Sequence, residues 1–169
     1  MKLWITVPMI LFMMIAEEVN ATMKNKEKIV TTTQEEVNCL AENIYFEARG
    51  ESTPGRMAVA LVTLNRVKDN RFPDTVCAVV KQTKYYPSGK IDLHSCQFSW
   101  YCDGKSDKVR DYKVWEDIHL IAEVMYEYES VDVTQGALWY HSPAVKPKWS
   151  MVYNKTVKID NHIFYKDVD

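Results

Sequence analysis

The chain has 169 residues, of which 47% are hydrophobic and 26% charged, and its formal net charge is −2. This length is enough for one domain with a buried core, and the composition is that of a globular protein, which excludes disorder over most of the chain. The nearly balanced charge lacks the strong basic field of a nucleic-acid-binding protein. We therefore expect no nucleic acid among the partners.

The N-terminal segment has the pattern of a signal peptide. One lysine is followed by an uncharged run over 3–16. As a helix this run spans roughly 21 Å, which is short of the roughly 30 Å hydrocarbon core of a bilayer. Val19 and Ala21 are small residues placed before a cleavage point. We predict an exported protein with a signal peptide over 1–21, or an uncleaved membrane anchor there, and a polar linker over 22–33.

Four cysteines, Cys39, Cys77, Cys96 and Cys102, favour disulfide bonds in an exported protein. They allow three pairings, of which we favour Cys39 with Cys77 and Cys96 with Cys102, because the second pair closes a small loop. The alternative is a zinc site formed by His94, Cys96 and Cys102, but this spacing matches none of the usual paired metal patterns. We therefore predict no metal and no cofactor.

Helical patterns occupy the first half of the chain. The TQEE segment at 33–36 is a capping box that predicts a helix start, and apolar residues then recur on one helical face as far as Ala48. Gly50 is placed to end this helix in a left-handed cap. Pro54 opens a second helix, apolar almost all round over 57–62, which is typical of a central helix.

The second half of the chain predicts two further helices and a small sheet. A short helix begins at Pro73, an ordered loop covers 83–108, and apolar residues at helical spacing over 114–125 predict a fourth helix. The segments GALWYH and HIFYK have the composition of short strands. We expect a mostly helical α+β domain over 34–169, with a small antiparallel sheet near the C-terminus.

Glu47 is the candidate catalytic acid. It lies three residues after Ile44, at the border of the buried face and near the helix C-terminus. Apolar surroundings and the negative end of the helix dipole both raise the pKa of a carboxyl group there. A glutamic acid that stays protonated near neutral pH can donate a proton to a glycosidic oxygen. The alternative is a glutamate that only reaches water, as we expect for Glu42, while Arg49 pairs with Glu51.

Aromatic residues concentrate in the predicted loop and strand regions. They are Trp100, Tyr101, Trp139, Tyr140, Trp149 and Tyr153. Sugar-binding clefts use such rings against the apolar faces of sugars, with polar groups for the hydroxyls. The alternative for each ring is packing in the core.

Seven segments occur in one order that resembles the SleB-type cell wall hydrolases, the family of the spore-cortex-lytic enzymes. The segments are CLAENIYFEARGES, GRMAVALVTLNRV, FPDTVCAVV, CQFSWYCDG, ALWYH, KPKWS and NHIFY. The resemblance covers about Cys39 to Tyr165, with a departure at Asp160, where a glycine is common in the family. It implies a lysozyme-like fold related to lytic transglycosylases, and cleavage of peptidoglycan between N-acetylmuramic acid and N-acetylglucosamine. It also implies a single catalytic glutamate, which maps onto Glu47.

The leading hypothesis is therefore a monomeric, cell-wall-associated muramidase of the lytic transglycosylase type. Glu47 protonates the glycosidic oxygen, the C6 hydroxyl of the muramic sugar attacks its own C1, and the ionised Glu47 acts as the base. The candidate substrate-binding residues are Gln97, Ser99, Tyr140, His141 and Trp149. Asn65 and Arg66 on the central helix are expected to satisfy buried backbone groups or to anchor Glu51.

Other readings of the same residues remain open. Two-carboxylate hydrolysis would use Glu51 or Asp103 as the second acid. A cysteine peptidase would need a free thiol paired with His119 or His141. A zinc amidase would need a ligand set that the sequence does not supply. A non-catalytic glycan-binding module would need only the aromatic residues.

Overall fold

The computed structural model describes residues 6–93, 95–128 and 131–168. The chain divides into two units, one up to Glu35 and one from Glu36 onward, and the second contains the candidate site. In the described part of the chain, no helix combines the length and apolarity needed to cross a membrane. His94, the candidate zinc ligand, lies outside the described residues.

The first helix, α1, runs over Thr6–Ala48, so the predicted start at the capping box is wrong. No glycine or proline occurs between Pro8 and Gly50, and nothing in the backbone therefore interrupts the helix over the polar segment 22–33. The predicted end is confirmed, but Gly50 is not in the left-handed conformation. The helix ends instead in a turn in which Glu51 N donates to Ala48 O at 3.0 Å.

Helix α2 (Thr53–Lys68) is central, as predicted, because small and β-branched residues bury much of its surface. The Ser52 side chain caps it by accepting from Gly55 N. Helix α3 (Val76–Val80) is shorter than predicted. The Glu36 carboxylate accepts from Val76 N and thereby joins α1 to the start of α3.

Helix α4 (Tyr112–Glu127) completes the helical layer. The core forms where the C-terminal part of α1 packs with α2, α3 and α4. The largest fully buried side chains there include Leu40, Ile44, Val79, Val80 and Ile118. A smaller cluster, formed by Ala58, Val62, Ala137 and Phe164, lies between α2 and the sheet.

The sheet has three antiparallel strands in the order β1-β3-β2. The strands are β1 (Trp139–His141), β2 (Asn154–Ile159) and β3 (His162–Lys166). Strands β1 and β3 fall in the two predicted segments, and Tyr140 pairs with Phe164 across them. The sequence analysis missed β2, because NKTVKI is mostly polar and forms an edge strand with a largely exposed surface. The α+β fold with a small C-terminal sheet is confirmed.

The turn between β2 and β3 is bonded to the loop that follows α1. Asp160, with φ of 46°, accepts at Oδ2 from Ser52 N at 2.9 Å and from Ser52 Oγ at 2.5 Å. The Glu51 carboxylate accepts from Asn161 N at 3.2 Å and from Asn161 Nδ2 at 3.3 Å. Glu51 is therefore bound by the turn, and the Arg49 guanidinium lies over the Tyr45 ring at 5.3 Å, in place of the expected Arg49–Glu51 pair.

The structure joins Cys39 to Cys77 and Cys96 to Cys102, the favoured pairing. The first bridge connects α1 to α3, and the second closes the loop that contains Gln97 and Ser99. All four cysteines of the chain are therefore in disulfide bonds.

We expect Gly55→Ala to lower the free energy of unfolding by about 1–3 kcal/mol, although alanine is normally preferred to glycine in a helix. A Cβ at this position would collide with the Asp160 carboxylate and lie 2.9 Å from Glu51 Cβ. Gly50→Ala is the matched control, since a Cβ there meets nothing within 4 Å. Urea unfolding measures both changes, and equal stabilities for the two variants would contradict the predicted collision.

We expect the two disulfides to contribute unequally to stability. They close separations of 38 and 6 residues, and in the chain-entropy model such loops correspond to about 4 and about 2 kcal/mol. Thermal and urea unfolding of the Cys39→Ala/Cys77→Ala and Cys96→Ala/Cys102→Ala proteins would measure the two losses. A larger loss for the second protein would show that loop length does not determine the effect.

Candidate active site

Glu47 lies in the last turn of α1, on the face that carries the buried Asn43 one turn earlier. The Asn43 amide donates to Thr63 Oγ1 at 3.0 Å and accepts from Trp100 Nε1 at 3.1 Å. These bonds fix this face of α1 against α2 and the segment 99–102, a short 3-10 helix. Because side chains four residues apart share a helical face, the same contacts direct Glu47 toward the 99–102 segment.

Two cavities meet at Glu47. The first, of about 650 Å³, has a mostly charged wall and is called here the charged cavity. Its cationic residues are Arg49, Lys105, Lys108 and Arg110. Its acidic residues besides Glu47 are Asp103, Asp107 and Asp111.

The second, of about 300 Å³, is called here the aromatic cavity. Its rings are Phe98, Trp139, Tyr140 and Trp149. Glu47 and Ser99 line both cavities. An extended ligand that occupied the two cavities would therefore pass directly over the Glu47 carboxyl group.

The environment of Glu47 favours its protonated form but also stabilises its ionised form. Burial raises the pKa of Glu47, while the Tyr140 hydroxyl, which donates to Glu47 Oε2 at 3.0 Å, and the charge of Arg66 act in the opposite direction. Burial also raises the pKa of Tyr140 well above its ordinary value. Tyr140 therefore stays a hydrogen-bond donor over the physiological pH range. Glu47 can therefore hold a proton, and after donating it the resulting carboxylate is stabilised by Tyr140 and Arg66.

Most of the predicted substrate-binding residues meet at the aromatic cavity. Gln97, Ser99, Tyr140 and Trp149 line it together with Glu47. His141 does not line either cavity. Its Nε2 lies 3.0 Å from the Tyr165 hydroxyl, and its ring stacks on Tyr165 and meets Trp149 edge-on. His141 therefore supports the wall of the cavity from behind.

Arg66 is the main residue of the site whose role the sequence analysis missed. Its Nε donates to Leu138 O at 2.8 Å, which is the backbone role expected of it, and its guanidinium lies over the Phe72 and Phe98 rings. Yet Arg66 also lines the aromatic cavity, and its buried Nη1 has no hydrogen-bond partner. Burial lowers the pKa of Arg66 to about 10, so it remains charged. The available signal was a charged residue on the helix predicted to be central, since burying a charge is costly.

Asn65 behaves as expected. Its amide donates to Ala137 O at 3.2 Å and to Asp132 Oδ2 at 3.0 Å. Asn65 thus provides a hydrogen-bond donor for a backbone carbonyl of the segment that precedes β1.

The other carboxylates considered for the chemistry are in different positions. The Glu51 carboxylate accepts a hydrogen bond from Asn161 N. Asp103 lines the charged cavity, and hydrogen bonds from Lys105 lower the pKa of Asp103. Glu42 is not simply solvated as expected. It is half-buried, and burial raises its pKa, but it lines neither cavity.

The cysteines take no part in the chemistry. All four are bonded in disulfides, so none is available as the nucleophile of a cysteine peptidase. Cys96 and Cys102 are bonded to each other and are therefore not thiolate ligands for zinc.

The sequence is similar to a family of cell wall hydrolases and to spore cortex-lytic enzymes. The sequence pattern of the family described as Cell Wall Hydrolase matches residues 50–165. A spore cortex-lytic enzyme of Oceanobacillus iheyensis is 29% identical over 138 residues, which cover 79% of this chain and 42% of that enzyme. A spore cortex-lytic enzyme of Bacillus cereus is 28% identical over 137 residues, covering 79% of this chain and 45% of that enzyme. The chain thus spans less than half the length of these curated relatives.

Two solved structures have a similar fold. The catalytic domain of the Bacillus cereus SleB protein matches with a TM-score of 0.56 and 29% identity, over 79% of this chain and 91% of that domain. The catalytic domain of the germination-specific lytic transglycosylase SleB from Bacillus anthracis matches with a TM-score of 0.52 and 29% identity, over 78% of this chain and 93% of that domain. The family pattern begins at Gly50, just after Glu47, and covers well over half of the sequence. The resemblance noted in the sequence is thereby confirmed, and the chain belongs to the cell wall hydrolase family.

Proposed function

We propose that this protein cleaves the glycan strands of peptidoglycan as a muramidase of the lytic transglycosylase type, with Glu47 as the single catalytic acid. The observation that carries the proposal is the position of Glu47, a half-buried carboxyl group at the junction of two cavities. Membership of the cell wall hydrolase family supports the substrate class. The similar domain from Bacillus anthracis belongs to a lytic transglycosylase, which supports the type of reaction.

The first step is proton transfer from Glu47 to the oxygen between N-acetylmuramic acid and N-acetylglucosamine. As that bond breaks, positive charge develops on the muramic ring, and Glu47 becomes a carboxylate. The Tyr140 hydroxyl and the Arg66 guanidinium both stabilise the new negative charge. Acid–base assistance of this kind contributes roughly 10²–10⁴ in rate, so binding and orientation in the cleft must supply the remainder.

The second step uses the same carboxylate as a base. Glu47 removes the proton of the muramic C6 hydroxyl while that oxygen attacks C1, which forms a 1,6-anhydro ring and returns the proton to Glu47. Atoms balance without an added water molecule. The rings of the aromatic cavity are placed to pack against apolar sugar faces, and Gln97 and Ser99 are placed to bond N-acetyl or hydroxyl groups.

Hydrolysis is the second candidate reaction, and one observation favours it. Asp103 lines the charged cavity together with Glu47, and its lowered pKa keeps it ionised. An ionised second carboxylate is the group that a two-carboxylate glycosidase uses as base or nucleophile. Mass spectrometry of the products distinguishes the two reactions, since the transglycosylase leaves 1,6-anhydro ends and the hydrolase leaves reducing ends. Binding to cell walls without either product would indicate a glycan-binding module.

We further propose that the protein acts after export, as a monomer at the cell wall, and that 1–21 is its signal peptide or anchor. Two disulfide bonds in a small domain are typical of proteins that fold in an oxidising compartment.

We expect Glu47→Gln to lower kcat/KM on purified glycan strands by at least about 10²-fold, because the amide keeps the shape of the side chain but has no proton to transfer. Glu42→Gln is the matched control, since Glu42 is on the same helix and also has a raised pKa but lines neither cavity. Release of soluble products measures both. The assignment of Glu47 is wrong if this variant turns over at a near-normal rate while remaining folded.

We expect Tyr140→Phe to raise the pKa of Glu47. The Tyr140 hydroxyl bonds to the ionised form of Glu47, so its loss makes that form less favourable. Because the protonated acid is the active form, the loss of activity with rising pH should move to higher pH, while the maximal rate falls. A pH–rate profile, with NMR titration of the Glu47 carboxyl carbon, measures the shift. If the loss of activity with rising pH moved to lower pH in this variant, the role given to Tyr140 would be contradicted.

A further inference from the structure

The two cavities that meet at Glu47 differ in the chemistry of their walls. Among the described residues that line the aromatic cavity, the buried Arg66 is the one cation, and Glu47 is the one carboxylic acid. The charged cavity has about twice the volume, and four cations and three acids line it besides Glu47. The whole chain has a formal net charge of only −2, with 21 basic and 23 acidic residues. Seven charges around one cavity are therefore a local concentration.

Some of these charges already have partners within the protein. Lys105 Nζ lies 3.0 Å from Asp103 Oδ2, and Asp111 Oδ1 accepts from Val114 N at 3.1 Å as the cap of α4. Both acids are therefore engaged by neighbouring groups.

Three of the four cations of this cavity have no such partner. Within the described residues, Arg49, Lys108 and Arg110 form no ion pair. Arg49 is held beside the cavity by the Tyr45 ring at 5.3 Å, and Asp107 is the remaining acid. The wall next to the catalytic acid thus offers three unpaired positive charges and one unpaired negative charge.

The substrate contains a matching group. The sugar rings of peptidoglycan are uncharged, and its charges lie on the peptide stem attached to the lactyl group of muramic acid. That stem carries several carboxylates and, in many wall types, one free amine. Guanidinium and ammonium groups bind carboxylates strongly, and arginine does so in a bidentate geometry. A glycan strand without stems would offer these three cations only the single lactyl carboxylate of each muramic residue.

We propose that the charged cavity is a subsite for the peptide stem of muramic acid, in which Arg49, Lys108 and Arg110 bind the stem carboxylates. The inference rests on the proposed function, because it takes the glycan strand as the substrate. It adds that the protein selects strands that still bear their stems. It also orients the strand, since the muramic residue with its stem lies on the charged side of Glu47 and the neighbouring sugars lie along the aromatic cavity.

The test compares two substrates, intact glycan strands and strands whose stems have been removed by an amidase, which leaves one lactyl carboxylate on each muramic residue in place of the several carboxylates of the stem. The wild-type protein should have a KM that is lower for intact strands by about fivefold to tenfold, the range expected when two or three exposed charge pairs each contribute a small amount. This preference should weaken as salt is added, because exposed charges are screened.

The Lys108→Ala/Arg110→Ala protein should lose most of the preference, so that the ratio of the two KM values approaches one. Lys155→Ala/Lys158→Ala is the matched control, since it removes two exposed positive charges from β2, outside both cavities. The control should keep the wild-type ratio. Thermal unfolding of both proteins verifies that each is folded.

Failure of this inference is distinguishable from failure of the proposed function. If the wild-type protein cleaves both substrates with one KM, or the control protein loses the preference equally, the stem subsite is wrong while the role of Glu47 stands. If the wild-type protein cleaves neither the intact nor the stem-free strands, the proposed function is wrong. Calorimetric titration of the Glu47→Gln protein with soluble stem-bearing and stem-free disaccharides tests the subsite without turnover, and equal affinities for the two would overturn it.

Discussion

The hydrogen bonds of the Asn43 side chain hold the site together. Its amide connects α1 to Thr63 on α2 and to the indole of Trp100, and the three groups are buried. A buried donor or acceptor left without its partner costs about 1–3 kcal/mol, so the three elements are confined to one mutual arrangement. Trp100 in turn stacks on Phe46 at 4.6 Å. Glu47, one turn beyond Asn43, thereby has a fixed position relative to both walls of the cleft.

Around that position the electrostatics are balanced. Burial favours the protonated form of Glu47 by raising its pKa, whereas full solvation would leave the group ionised. Tyr140 and Arg66 oppose the effect of burial. Arg66 can do so because two aromatic rings and the Leu138 carbonyl stabilise its charge. A buried cation is costly, which indicates that the site rather than the core accounts for its presence.

Sequence patterns were sufficient where the determining interactions are local or strongly periodic. The end of α1, the central α2, strands β1 and β3, and the placement of Glu47 at the edge of a buried face follow from apolar spacing and turn residues. The patterns failed where distant or competing interactions decide. The capping box did not start a helix, because the preceding segment is itself helical. The bonds between Glu51 and Asn161 join residues 110 positions apart, and His141 turned toward Tyr165, which no local signal indicated.

The bridge between Cys96 and Cys102 has a consequence beyond stability. Cys96 is itself part of the wall of the aromatic cavity, and the loop over 97–101 that the bridge closes contains both Gln97 and Ser99. The bridge therefore acts on the cleft wall, whereas the helical core is joined separately by Cys39 and Cys77. In a reducing compartment the same chain would lose both bridges, so its core would be less stable and the loop in the cleft wall would no longer be closed. The cleft would thus be completed only once the chain reached oxidising surroundings, which would separate the place of synthesis from the place of action.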